Sequence, residues 1–228
     1  KEVYGWGNSL YGALGVKSSI VSKPVRVATG ISTAVQVSGG GKSGSDDYHV
    51  NSIGNTGYTY ILKEDGTVSS LGYNVNGELG NGAQTSTTAV QKVSNLTEIM
   101  QVAGSKNGNF GAAVKKDGTV WTWGRNDGGQ LGNKKTTVSA IPQRVKGGAS
   151  GSEYLTDVVQ VTAGNWHSMA LKANGTVYAW GWGQYGQLGN GYTTNSYDTD
   201  YYSGEKIYSA PVPVSYTHLR AHETLMNL

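Results

Sequence analysis

Asp117-Gly118-Thr119-Val120-Trp121-Thr122-Trp123-Gly124-Arg125-Asn126-Asp127-Gly128-Gly129-Gln130-Leu131-Gly132 carries the pattern that decides the fold. An Asp-Gly pair opens it. Val120 stands three residues before Trp123-Gly124, and Gly-Gln-Leu-Gly closes it. The second half returns as Trp6-Gly7-Asn8 to Gly12-Ala13-Leu14-Gly15, and as Leu71-Gly72-Tyr73-Asn74 to Gly77-Glu78-Leu79-Gly80. A fourth copy runs from Trp180-Gly181-Trp182 to Gly186-Gln187-Leu188-Gly189. In every copy the first and last Gly stand eight residues apart, whereas successive copies are separated by 65, 52 and 57 residues. A rigid unit with elastic spacing implies a constant core with insertions in its loops.

The elements around this unit repeat with it. Asp65-Gly66-Thr67-Val68 and Asn174-Gly175-Thr176-Val177 precede two further copies, and Val3 stands three residues before Trp6. Asp-Gly and Asn-Gly tolerate the positive φ angles of a type I′ hairpin turn. The first copy therefore begins just after such a turn. Upstream lie Val35-Gln36-Val37, Gln101-Val102-Ala103-Gly104 and Gln160-Val161-Thr162-Ala163-Gly164. Downstream lie Pro24-Val25-Arg26-Val27, Val90-Gln91-Lys92-Val93, Pro142-Gln143-Arg144-Val145 and Pro211-Val212-Pro213-Val214.

Each unit thus reads strand, strand, turn, strand, Gly-rich loop, strand, with no helical periodicity. Four short strands recurring at this spacing describe a propeller blade. The sequence predicts an all-β β-propeller of four-stranded blades, about three and a half of them, in an incomplete ring. The repeat units span roughly 1–30, 31–95, 96–146 and 155–214. An open ring exposes an apolar flank and unpaired strand edges. Residues 1–214 are therefore expected to be marginally stable or to self-associate through those edges.

These patterns resemble the regulator of chromosome condensation repeat over residues 1–214. The resemblance implies a propeller, often of seven blades, of which this chain would supply about half. There are departures. Leu71 stands where the repeat has Trp, Ser38–Ser52 reads as a flexible Gly/Ser-rich insertion, and Asn107 and Asn109 precede the second strand of the 96–146 unit. Only the last unit keeps Gly164-Asn165-Trp166-His167-Ser168. Ser215–Leu228 breaks the pattern, with two of the four His residues and no Gly. It is expected to be a non-native tail, a sequencing or cloning artefact.

Composition bounds the function. Of 228 residues only 14% are charged, against about 25% in an average domain. The net charge is +3 with no Lys/Arg run, so there is no specific nucleic acid signal. With no Cys there is neither a disulfide nor a thiolate metal site. No apolar stretch reaches the ~20 residues of a membrane helix. Gly39-Gly40-Gly41-Lys42-Ser43 is similar to a phosphate loop, but the position of its first Gly is Gln36 and no helix follows. His218 and His222 have metal-ligand spacing without a third ligand or a second shell. Asp46-Asp47 and Asp198/Asp200 do not complete a calcium loop. Asp65, Asp117 and Asn174 are turn residues. No catalytic residue, cofactor or metal is expected.

Two groups of residues remain. Tyr58, Phe110 and His167 fill one aromatic slot, and the resemblance implies that His167 packs and hydrogen-bonds within its blade. Trp6, Leu71, Trp123 and Trp180 fill another and are expected between blades, as are the Leu residues of each Gly-x-Leu-Gly. Gly7, Gly72, Gly124 and Gly181, with Gly15, Gly80, Gly132 and Gly189, are expected to permit close approach or positive φ. The loops carry Tyr11, Tyr73, Arg125, Asn126, Trp166, Trp182 and Tyr185. An insertion at Tyr192–Ser209 adds Tyr197, Tyr201 and Tyr202 among Ser, Asn and Gly. Rings beside small polar residues on loops suit protein binding. The expected function is a non-catalytic protein–protein interaction scaffold that is part of a bacterial secreted or surface protein, extracellular or on the cell surface, and binds a protein partner of unknown identity. By resemblance, two other roles stand beside it: nucleotide exchange on a small GTPase with chromatin binding, and a propeller module of a larger ubiquitin-ligase-like enzyme.

Overall fold

The computed structural model describes residues 1–27, 30–42, 56–148, 152–191 and 207–214. Its strands form one half-unit and three full units. The half-unit pairs β1 (Tyr4–Ser9) with β2 (Ser18–Arg26). The next sheet runs in order through β3 (Ala34–Gly40), β4 (Tyr58–Lys63), β5 (Val68–Gly72) and β6 (Thr87–Lys92). The third runs through β7 (Ile99–Gly104), β8 (Phe110–Lys115), β9 (Val120–Gly124) and β10 (Ser139–Arg144). The fourth runs through β11 (Val158–Ala163), β12 (His167–Lys172), β13 (Val177–Trp182) and β14 (Ile207–Pro213). Every pairing is antiparallel between chain neighbours. β3, β7 and β11 adjoin one another from unit to unit. The sheets are propeller blades, and the ring is not closed.

The hairpin turns differ from the expected type I′. Gly66, Gly118 and Gly175 have positive φ, but Asp65, Asp117 and Asn174 do not. Gly66 N donates to Lys63 O, and Lys63 N to Thr67 O. This is a three-residue loop, a type I turn followed by one left-handed glycine. The side chain supplies the stop: Asp65 Oδ1 accepts from Thr67 N at 2.9 Å and from Thr67 Oγ1 at 2.7 Å. Asp117 holds Thr119 likewise. Those hydroxyl bonds, above all, hold both carboxyls below their ordinary range.

The Gly-rich start of the 38–52 segment is also not loop. Ser38, Gly39 and Gly40 lie in β3, and Gly41 bridges Lys106. A Cβ at Gly104 would lie 2.9 Å from Gly39 O, so glycine here lets two inner strands touch. Tyr208 and Ser209 similarly belong to β14, with Tyr208 opposite Gly181. The tail 215–228 lies outside the described residues.

Three kinds of contact join the units. Apolar side chains interleave first: Tyr60, Leu62, Val68, Leu79 and Val93 of one blade meet Ile99, Val102, Ala113 and Trp123 of the next. Glutamines then clamp the inner strands. Gln36 Nε2 donates to Val102 O at 3.0 Å and its Oε1 accepts from Val102 N at 3.0 Å. Gln101 repeats this on Val161. Finally, the second residue of each Gly-x-Leu-Gly offers its carbonyl to the following blade. Trp123 Nε1 donates to Glu78 O at 2.8 Å, and Trp180 Nε1 to Gln130 O at 2.9 Å.

Leu71, Trp123 and Trp180 are fully buried between blades, as the sequence predicts. Trp6 is not: it is 67% exposed. Its slot packs on a preceding blade, and no described residue occupies that side of β1. Trp180→Phe keeps the ring but loses the bond to Gln130 O, so it is expected to cost about 1 kcal/mol. Trp180→Ala also opens a cavity and is expected to cost about 3–5 kcal/mol. Urea denaturation midpoints of the two variants check this, and an unchanged midpoint for Trp180→Phe would mean that the indole bond contributes nothing.

Candidate functional site

An antiparallel meander sends alternate connections to opposite ends. The Asp-Gly turns occupy one end of the blades. The β11–β12 connection, the β9–β10 connection and the segment after β13 gather at the other. There Arg125, Trp166, Trp182 and Tyr185 form one continuous surface. The Arg125 guanidinium carbon sits 4.1 Å from the Trp166 ring centroid. Trp166 and Trp182 lie 5.9 Å apart at 54°, and Trp182 meets Tyr185 edge-on at 5.5 Å. Trp166 and Trp182 are half-buried, and Tyr185 is 76% exposed.

Backbone bonds fix each ring. Arg125 N donates to Asn109 O and Trp182 N to Trp166 O, both at 2.9 Å. These bonds follow directly after Gly124 and Gly181, whose φ of 102° and 105° carries the chain tight against the neighbouring strand. A Cβ at Gly181 would come within 2.8 Å of His167 Cα, so only glycine fits. Tyr185 N donates to Gln187 Oε1 at 2.7 Å. Gly128 lies under the pair: a Cβ there would sit 3.3 Å from Trp166 and 3.5 Å from Trp182. Arg125 is also forked onto Asp127, at 2.8 and 2.6 Å. The patch is therefore aromatic and locally neutral, with its one cation already paired and stacked.

The other candidates divide. Tyr11 and Tyr73 form a separate edge-on pair, 5.0 Å between centroids. Tyr73 is only 4% exposed, so it is a packing residue and not a surface ligand. Tyr11 covers its ring, and burial first and Glu78 second push its hydroxyl up to about 12. Asn126 is buried as well and organises its loop. Its Nδ2 donates to Lys135 O and Thr137 O, and its Oδ1 accepts from Leu131 N. Asn74 does the same in the preceding blade. Tyr197, Tyr201 and Tyr202 lie outside the described residues.

His167 packs against Gly164, and burial lowers its pKa. Among the described residues its ring makes no hydrogen bond and lies against Gly164, where a Cβ would come within 2.4 Å of it. Its slot partner Tyr58 differs, donating to Ser105 O and Phe110 O. Among the described residues no three His, Cys, Asp or Glu side chains gather to hold a metal. Among the described residues no helix is long and apolar enough to cross a membrane.

Sequence reasoning passed over Gly128, Gln36 and Gln101. Gly128 was visible as the small residue in the slot that holds Tyr11, Asn76 and Tyr185. The glutamines were visible as a repeated polar residue inside an apolar strand.

Four-stranded antiparallel blades, adjoining through their first strands and latched edge to edge, define a repeat protein of the β-propeller class. The chain belongs to the regulator of chromosome condensation (RCC1) repeat family, whose pattern matches residues 2–43, 117–171 and 174–222. A second form of the same repeat matches residues 158–187. Among curated proteins the chain is similar to the E3 ubiquitin-protein ligase HERC2 of Homo sapiens, with 32% identity over 196 residues. It is also similar to the ultraviolet-B receptor UVR8 of Arabidopsis thaliana, with 30% identity over 193 residues. These alignments cover 85% and 83% of this chain but 4% and 39% of the relatives. Among solved structures, human WBSCR16 aligns with a TM-score of 0.69 and 20% identity, over 94% of this chain and 48% of that one. Yeast RCC1 (Prp20), solved bound to Kap60, aligns at 0.67 and 19%, over 95% and 45%. Both share the fold.

Glu78 yields a pH test. Its side chain is buried, accepting from Asn76 N at 2.8 Å and Asn76 Nδ2 at 2.9 Å. Burial raises its pKa above 4.5. The folded state then holds this proton to higher pH than the unfolded chain does. Its contribution to stability is full below pH 4.5 and is lost as pH rises through the folded value. Gln130 and Gln187 occupy the same slot without charge. Glu78→Gln is therefore expected to raise the thermal midpoint relative to the parent at pH 7.5 and to lose that advantage near pH 4. Thermal midpoints at both pH values check the sign.

Proposed function

We propose that this chain is a non-catalytic protein-binding module that docks its partner on the Trp166–Trp182–Tyr185 surface backed by Arg125. The observation that carries this reading is three adjoining rings left partly open to solvent, two of them on residues joined by a backbone bond at strand ends and the third on a loop pinned to Gln187. Trp, Tyr and Arg are the side chains enriched at binding hot spots. Rings fixed before binding cost little entropy on contact. The pairing of Arg125 with Asp127 favours a partner surface that is apolar or weakly polar over one that is strongly acidic. The yeast RCC1 relative is a structure bound to another protein, Kap60, which supports the class of function by analogy. The same reading puts the chain in a bacterial secreted or surface protein, on its low charged fraction, its lack of Cys and its Gly-rich composition.

A second reading is favoured by the 32% identity to HERC2: a propeller module within a larger ubiquitin-ligase-like protein. The module itself is non-catalytic in both.

Matched affinity captures with the parent chain and a Trp182→Ala/Tyr185→Ala variant, followed by titration of the captured protein, test the site. The double variant is expected to bind at least tenfold more weakly with an unchanged thermal midpoint. A partner bound equally well by both chains would remove this surface from consideration.

A further inference from the structure

The third blade carries an insertion of its own. The connection from Val145 to Val158 is seven residues longer than its counterpart from Val93 to Ile99. It folds back on the outer strand: Lys146 bridges Tyr154, Gly147 N donates to Glu153 O at 3.0 Å, and Leu155 N donates to Val145 O at 3.1 Å. Leu155 is fully buried between the third and fourth blades and anchors the returning arm. Lys146 N donates to Gly132 O at 2.9 Å, which fixes the outgoing arm. Tyr154 therefore has a set place beside the end of β10. That end lies with the Asp-Gly turns, since Arg144 pairs with Trp121 near the start of β9, whereas Ser139 pairs with Gly124 at its finish.

Two cations lie against that one ring. The Arg144 guanidinium carbon is 4.2 Å from the Tyr154 centroid, and Lys146 Nζ is 4.1 Å from it. Their commitments differ. Lys146 faces Glu153 at 3.4 Å. Among the described residues Arg144 forms no ion pair and donates no hydrogen bond, and its Nε is buried without an acceptor. By contrast, Arg26 pairs with Glu2 at 2.8 Å and Arg125 with Asp127 at 2.6 Å. Asp117 and Glu153 feel the Arg144 charge, but neither bonds it. A guanidinium carries five N–H donors in a planar fork, and leaving them unmet is costly. Stacking on Tyr154 fixes the plane of this fork, so its donors are aimed before anything binds.

We propose that Arg144, Tyr154 and Lys146 form a second docking point, which takes a side-chain carboxylate from an acidic segment of a partner protein. The two Nη groups of Arg144 would grip both carboxylate oxygens, and Lys146, two residues along the same strand face, would add its attraction. The charge balance selects this occupant. Arg144 and Lys146 set against Glu153 leave one net positive charge, the complement of one carboxylate and not of a phosphate dianion. The carboxylate also supplies acceptors to a fork that has none among the described residues. This point lies at the opposite end of the blades from the Trp166–Trp182–Tyr185 surface and uses none of its residues. Failure of the one therefore does not carry failure of the other.

Fluorescence anisotropy of a labelled hexaglutamate peptide, titrated with the 228-residue chain at low and at physiological salt, tests this, with circular dichroism confirming that each variant folds. The parent is expected to bind saturably at low salt and more weakly at physiological salt. Arg144→Gln is expected to weaken binding about tenfold, the effect of losing one hot-spot contact. Arg144→Lys keeps the charge but loses the fork, and is expected to fall between the two. Lys23→Gln removes the same charge from an exposed place on β2 and is expected to bind as the parent does. A parent that does not bind, an Arg144→Gln variant that binds as the parent does, or an equal loss from Lys23→Gln would each overturn the proposal. A phosphoserine hexapeptide bound more tightly than hexaglutamate would overturn it as well.

Discussion

Each blade presents one buried main-chain carbonyl to the next, and that carbonyl cannot be left without a donor. A buried acceptor with no partner costs about 1–3 kcal/mol. At Gln130 O the requirement is met twice, by Trp180 Nε1 and by Ser168 Oγ. At Ala13 O the following blade has Leu71 in place of Trp, and the hydroxyl of Thr59 serves alone at 2.8 Å. At Glu78 O the residue in the Thr59 and Ser168 slot is Gly111, which has no hydroxyl. Tyr60 reaches over from the same blade as Glu78 and donates at 2.5 Å, alongside Trp123. The donor changes residue and even blade, and the acceptor is satisfied each time.

This explains what could be read from the sequence and what could not. The strand order, the four units and the burial of Leu71, Trp123 and Trp180 follow from patterns that recur, because recurrence reports a shared core. The indole donor recurs in Trp123 and Trp180, but the slot that supplies a hydroxyl does not: Thr59, Gly111 and Ser168 look unrelated until the strands are paired with Leu71, Trp123 and Trp180. Trp6 is exposed because the repeat pattern describes a residue with its neighbouring blade in place, and no described residue supplies that blade. The turn type was missed because Asp-Gly fits both a two-residue and a three-residue hairpin, and the Thr side chain decides between them.

The aromatic surface was legible only in part. Exposed-looking loop rings were identified by residue type and position, and type does not reveal what covers what. Tyr73 and Arg125 share a slot, yet Tyr73 is sealed by Tyr11 while Arg125 stacks beneath Trp166. The difference lies in the loop of the preceding blade: the slot that holds Tyr11 beside Tyr73 holds Asn76 before Arg125 and Gly128 before Trp182. Space left by one missing side chain lets two indoles meet.

Gly111 carries a consequence for how such a chain can be rearranged. A Cβ there would collide with Tyr60 Oη and the Trp123 ring. The second and third blades are therefore matched to each other, not merely to the repeat. Were the fourth blade moved to follow the second, its Ser168 would fall where the Tyr60 hydroxyl already stands. The blades look interchangeable by alignment, yet these two must be inherited, duplicated or transplanted together.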